Sequence, residues 1–126
     1  MIRGIGVDII EIARIRRSVE QSGEEFLQKV FTQVEIDYCA SKTDRYQHLA
    51  ARFAAKEAVS KALATGWAED FRWKDVEVMN DASGQPHVTL HGKLKERLAS
   101  RSVFLSLSHS DHHVVAMALI EEGSAC

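Results

Sequence analysis

The chain has one proline and two cysteines in 126 residues, a net charge of only −2, and no apolar run long enough to span a bilayer. Each shortage excludes something. A membrane-crossing helix needs about 20 predominantly apolar residues, so no membrane span is expected. The start, Met1-Ile2-Arg3-Gly4, passes straight into a strand pattern, so no secretory leader is expected either. The cysteines, Cys39 and Cys126, are far apart in the sequence, form no CxxC and imply no disulfide framework. A reducing, cytoplasmic setting is therefore the default. Near-neutral charge argues against a general nucleic-acid binder, which is usually basic overall, while leaving room for a local basic patch. Repeats, low-complexity stretches and linkers are also missing. With 45% hydrophobic residues, residues 1–126 are expected to form one domain with an adequate core.

What is present reads as alternating short elements. The lone proline, Pro86, lies in Asn80-Asp81-Ala82-Ser83-Gly84-Gln85-Pro86, the clearest turn signal in the chain. Val76–Met79 and His87–Leu90 flank it with strand-like alternation and predict a hairpin with a longer loop. Val103–Ser108 and His113–Glu121 predict two further strands joined by a polar tip, and the apolar opening predicts another. Ile12, Ile15 and Val19 share one face of a first short helix. Phe26, Leu27 and Val30 mark a second. Thr32-Gln33-Val34-Glu35 spells a capping box opening a third. The longest helical pattern runs from about Arg45 to Ala64, with Gly66 as its stop signal. Lys93–Ala99 predicts one more. Strands and helices do not alternate throughout as βαβ units. The expected class is α+β, a small and mainly antiparallel sheet packed with one long and several short helices.

Two acidic residues stand out. Asp8 ends the apolar opening Ile5-Gly6-Val7-Asp8, where a carboxylate is costly unless something pairs with it. Glu57 lies in the long helix, on the border of a face carrying Ala50, Ala51, Ala54, Ala55, Ala58 and Ala62, with Lys61 one turn further on. Small side chains on that face would let a bulky ligand or another subunit approach closely. Two convergent carboxylates with open positions suit Mg²⁺, which takes one or two protein oxygens and completes its shell with phosphate and water. With lysine and arginines nearby, that points to chemistry on a phosphorylated substrate. Taken alone, Glu57 and Lys61 fit a surface ion pair worth a few tenths of a kcal/mol equally well.

Longer blocks narrow the choice. Gly4-Ile5-Gly6-Val7-Asp8-Ile9-Ile10-Glu11-Ile12 resembles the opening of the holo-[acyl-carrier-protein] synthases, the small 4′-phosphopantetheinyl transferases. Phe31-Thr32-Gln33-Val34-Glu35, Arg52-Phe53-Ala54-Ala55-Lys56-Glu57-Ala58, Lys61-Ala62-Leu63, Gly84-Gln85-Pro86 and Leu105-Ser106-Leu107-Ser108-His109-Ser110 continue the resemblance in the family's order. The combination of Asp8 with Phe53-x3-Glu57-x3-Lys61 is more specific than any single block. Ala64-Thr65-Gly66-Trp67 and the histidine-rich Asp111-His112-His113 depart mildly from the pattern without touching it.

The resemblance implies transfer of the phosphopantetheine arm of coenzyme A to a serine of an apo acyl carrier protein, releasing adenosine 3′,5′-bisphosphate. It also implies a homotrimer with sites at subunit interfaces. By resemblance, Asp8 and Glu57 hold Mg²⁺ across the coenzyme A pyrophosphate, and Lys61 contacts that pyrophosphate. Either Glu57 or a water on the metal takes the serine proton, and the sequence does not choose between them. His109 and Ser108 lie by the coenzyme A phosphates. Lys42, Arg45 and Arg52 face the nucleotide and its 3′-phosphate, and Gly84 and Pro86 shape the adenine-side turn. Arg14 and Arg17 share a helix face suited to an acidic carrier. Two rival readings differ in class. One is a metallohydrolase on His109-Ser110-Asp111-His112-His113, which lacks a histidine at Leu107. The other is a non-catalytic module that binds a carrier protein or a nucleotide.

Overall fold

The computed structural model describes residues 1–63 and 71–123. The order is β1 (Ile2–Glu11), α1 (Ile12–Val30), α2 (Gln33–Ala40), α3 (Arg45–Ala62), a 3₁₀ turn (Trp73–Asp75), β2 (Val76–Asn80), β3 (Pro86–Leu90), α4 (Gly92–Arg97), β4 (Arg101–His109) and β5 (His113–Glu122). The class is the α+β expected, and every described strand pair is antiparallel. The strands divide between two sheets, β1-β5-β4 and the hairpin β2-β3. No helix among the described residues is long and apolar enough to cross a membrane.

The two short helices expected before residue 30 are one element, α1, broken in its middle. The break is Gly23, whose φ of 49° and ψ of −124° no helix accommodates. The capping box forms as spelled: Thr32 Oγ1 accepts from Glu35 N and the Glu35 carboxylate accepts from Thr32 N. The long helix ends at Ala62. Its expected extension to Ala64 and the Gly66 stop signal fall outside the described residues.

The alanine face of α3 is spent inside the chain. Ala50, Ala54, Ala55, Ala58 and Ala62 are fully or almost fully buried. Ala58 and Ala62 meet β1, where two glycines admit the helix backbone. A Cβ on Gly4 would lie 1.8 Å from the Ala62 carbonyl oxygen, and one on Gly6 2.1 Å from that of Ala58. The expectation that this face receives a ligand or another subunit is corrected at Ala58 and Ala62, where small residues on both elements let helix and strand meet at backbone distance, while Ala51 is only half-buried and lines a cleft described below. Free Cys39 is buried in the same core, where burial pushes its thiol up to about 11. It behaves as a small apolar side chain.

A buried polar seam runs along α3 at a spacing of four, through Arg52, Lys56 and Ser60. Lys56 Nζ donates to Glu35 Oε1 at 2.8 Å, to the Trp73 carbonyl at 2.9 Å, and to the Val76 carbonyl. All three ammonium donors are used. The other oxygen of Glu35 accepts from Val78 N at 2.8 Å. One ion pair thus ties α2, α3, the 3₁₀ turn and β2 together.

Candidate active site

The close approach of α3 to β1 builds the first part of the site. It brings the Lys61 side chain against the strand, where Nζ donates to the Val7 carbonyl at 3.0 Å and to Asp8 Oδ1 at 3.1 Å. Glu57 lies one turn back on the same helix. Its pKa is raised, first by burial and next by the negative charge of Asp8, while Lys61 and Arg14 pull the other way. Asp8, Glu57, Lys61 and Arg14 therefore share one electrostatic neighbourhood. Arg14 comes from α1 and stands exposed at the lip, with Arg17 exposed one turn further along.

Burial and the neighbouring Asp8 both disfavour a charge on Glu57, so two ionised carboxylates here are unfavourable neighbours without a cation. The donor set fits a hard divalent ion bound through two protein oxygens, with its remaining positions open. The rival histidine site has no such support. Among the described residues, no group of three or more His, Cys, Asp and Glu side chains is placed to hold a metal. Ser110 Oγ instead accepts from the backbone N–H groups of His112 and His113, an ordinary turn. His109 and His113 do line one open cleft with Ser108, Ser110, Ile9 and Val115.

Most of the other expected residues gather in a second cleft of about 250 Å³. Arg52, Gly84, Pro86, Ser108 and His109 all line it. Gly84 has φ 89°, left-handed backbone that suits glycine. Asp81 Oδ1 accepts from Ser83 N and Gln85 N at 2.9 and 3.0 Å, fixing the turn around it. Lys42 and Arg45 lie apart from this group. They line a neighbouring cleft with Arg16, Tyr46 and Asp111, joined to the second cleft through Gln47. Arg45 and Arg16 both lie over the Tyr46 ring, 5.3 and 5.1 Å from its centroid.

Three residues of the second cleft escape the sequence reading. His48 sits beside Arg52, edge-on to Tyr38, with Nε2 3.1 Å from Asp44 Oδ1. Burial lowers its pKa, and Asp44 opposes that. Asn80 and Gln47 add further polar groups to the lining, beside the apolar Ala51, Leu107 and Val114. The available signal was position: residues one turn before Arg52 on α3, and the residue opening the turn that contains Gly84.

A sequence model of the 4′-phosphopantetheinyl transferase superfamily matches residues 4–118. The chain is 46% identical over 119 residues to the holo-[acyl-carrier-protein] synthase of Protochlamydia amoebophila, covering 94% of this chain and 98% of that one. It is 50% identical over 117 residues to that of Chlorobaculum parvum, covering 93% and 97%. Among solved structures it superposes on the Neisseria meningitidis synthase with a TM-score of 0.88 at 32% identity, covering 97% and 100%. It superposes on the Bacillus anthracis synthase in complex with CoA (3′,5′-ADP) with a TM-score of 0.82 at 35% identity, covering 98% and 99%. With a family match over residues 4–118, relatives near 50% identical over almost the whole length and a fold that superposes on solved synthases, the chain belongs to the holo-[acyl-carrier-protein] synthases of the 4′-phosphopantetheinyl transferase superfamily.

Proposed function

We propose that this chain, as one transferase domain, moves the 4′-phosphopantetheine arm of coenzyme A to a serine hydroxyl of an apo acyl carrier protein, with Mg²⁺, in the cytoplasm. The serine oxygen forms a bond to the phosphorus that carries the arm. The pyrophosphate P–O bond breaks, the serine proton goes to a base, and adenosine 3′,5′-bisphosphate leaves. The observation that carries this reading is the joint placement of Asp8, Glu57 and Lys61. Mg²⁺ held by Asp8 and Glu57 would polarise the pyrophosphate and offset charge on the leaving group. Lys61 supplies a positive point charge beside it, and its two present acceptors, both on β1, keep the ammonium at the site. The raised pKa of Glu57 suits a carboxylate that also receives a proton. Arg52, Gly84, Pro86, Ser108 and His109 form a cradle for the phosphate and nucleotide end, and Lys42 and Arg45 add charge at its margin. The synthase of Helicobacter pylori, 30% identical with a TM-score of 0.83, was solved in complex with coenzyme A.

Assembly follows from the outer face of the three-stranded sheet. Ile5, Val7 and Ile9 on β1 are 63, 57 and 64% exposed, and Phe104 and Met117 are exposed beside them. Register makes this one patch: Val7 faces Met117, Ile9 faces Val115, and both Ile5 and Phe104 face Leu119. A contiguous apolar face of this kind marks an interface. We assign it to further copies of this chain in a homotrimer. Ile9 and Val115 also line the cleft of His109, so covering the face would bring a second copy to the edge of the site.

The test is direct. The protein is incubated with coenzyme A, Mg²⁺ and an apo acyl carrier protein, and the carrier's mass is measured. Gain of the phosphopantetheine arm, abolished by chelation, supports the reading. An unmodified carrier overturns it.

A further inference from the structure

The charge most deeply placed in the second cleft is Arg52, only 1% exposed. Such a side chain should be fully hydrogen-bonded, yet its Nε has no partner among the described residues. Among the described residues, Tyr38 and Asn80 hold the guanidinium. Tyr38 lies under it, with Cζ 4.4 Å from the ring centroid. Asn80 Oδ1 accepts from Nη2 at 2.8 Å. The other end of the same amide faces the hairpin, where Asn80 Nδ2 donates to the Gly84 carbonyl at 3.0 Å.

We propose that Asn80 is a positioning residue for coenzyme A, fixing the distance between the Arg52 cation and the Gly84–Pro86 turn across which the nucleotide end is held. This rests on the transferase reading above.

The chemistry of the bridge is specific. A guanidinium only donates and a carbonyl only accepts, so the group between them must accept at one end and donate at the other. An asparagine amide does both. Aspartate would keep the arginine and set a negative charge against the Gly84 oxygen. Leucine, of similar size, would do neither. The frame around the bridge is already rigid. Asn80 pairs with Pro86 in the ladder, and Asp81 closes the turn on itself. Two residues back, Val78 is pinned to Glu35. The turn and α3 are thus each fixed, and the Asn80 amide bridges them beside Arg52. Losing it would leave both elements in place and release the guanidinium, whose Nε already lacks a partner.

The consequence falls on binding rather than on the chemical step. A hydrogen bond to a charged group is among the stronger ones, so Asn80→Leu, which frees the cation from its position, should raise the KM for coenzyme A about tenfold. kcat should stay within about threefold, as expected when ground-state and transition-state binding are lost together. Asn80→Asp should fall between wild type and Asn80→Leu. In an Arg52→Ala background, Asn80→Leu should add nothing, because the group it positions is gone. Calorimetric binding of adenosine 3′,5′-bisphosphate should follow the same order without any transfer taking place. This separates failure of the inference from failure of the transferase reading. If Asn80→Leu does not fold, the cycle is run with Asn80→Asp. An unchanged KM and bisphosphate affinity in the folded variants, or additive effects of the Asn80 and Arg52 substitutions, would overturn the proposal.

Discussion

Two lysine–carboxylate pairs stand little more than a turn apart on α3, and they are built in opposite ways. Lys56 and Glu35 are 0% exposed, and every donor of the ammonium is spent on a protein oxygen. Lys61 and Asp8 are 54 and 15% exposed, and beside them Glu57 carries a charge its surroundings resist. The first pair is complete and holds four elements together. The second is incomplete and has capacity left for a ligand. Family motifs include both lysines, so spelling alone does not separate structure from chemistry. Saturation does: a charge with every hydrogen bond made is positioned to stay, and one with opposed neighbours is positioned to bind.

The sharpest way to break this contrast is to remove each lysine. Stranding a buried charge costs about 3–5 kcal/mol. Lys56→Met should therefore lose that much in denaturant unfolding, or fail to fold. Lys61→Met should stay within about 1 kcal/mol of wild type, as for an exposed pair, while losing transfer activity. Equal stabilities for the two variants would erase the distinction. Next come the carboxylates. Asp8→Ala and Glu57→Ala should each lower transfer about a hundredfold or more, since the metal's charge stabilisation amounts to several kcal/mol. Their folds should be intact by circular dichroism. Near-normal turnover with Mg²⁺ as the only metal would remove both residues from the site.

Metal-free protein gives a finer measure. The folded-state pKa of Glu57 is raised above 4.5 by burial and by Asp8. Its contribution to stability is thus present below the unfolded value and lost as pH rises through the folded one. In chelator at neutral pH, Glu57→Gln should melt at a higher temperature than wild type, and the gap should close below about pH 4.5. Mg²⁺ should raise the wild-type midpoint by mass action and leave Glu57→Gln nearly unmoved. A wild type that Mg²⁺ does not stabilise would speak against metal at this pair. The outer sheet face allows a parallel test. Val7→Arg places a charge in the patch shared with Met117. It should shift the assembly toward monomer by light scattering and lower specific activity, most clearly at low concentration. A fully active monomer would separate assembly from catalysis.

Much of this was legible in the sequence, for identifiable reasons. Local chemistry settled the capping box at Thr32 and Glu35, the turn at Gly84, and the strands flanking each loop. The spacing of Glu57 and Lys61 put them one turn apart on α3, while only the resemblance joined Asp8 to them. Three things were not legible. Alanine periodicity showed that α3 has a small-residue face, but not that Gly4 and Gly6 would consume it. Glu35 read only as a cap, because its second role needs Lys56 and Val78, both brought to it by tertiary packing. Asn80 read as a turn residue, because its partner Arg52 lies on another element.

The smallest expected effect concerns the arginines of α1. Arg14 and Arg17 share a helix face, and both are exposed. Exposed rim charges mainly tune encounter with a charged partner. Arg17→Glu should therefore raise the carrier protein's KM by a few-fold, in line with a rim contact worth less than about 1 kcal/mol. That effect should fade with added salt, because charges are screened over about 8 Å at physiological ionic strength. Arg14→Glu should do more, because Arg14 also acts on Glu57. Replacing its positive charge by a negative one raises the Glu57 pKa further, so Mg²⁺ competes with the proton at higher pH. The Arg14 variant should show a carrier defect that salt reduces, together with an upward shift in the acid limb of its pH–rate profile. The Arg17 variant should show only the first. If both variants give the same pH profile, Arg14 belongs to the solvated face of α1 and the acidic pair is insulated from it.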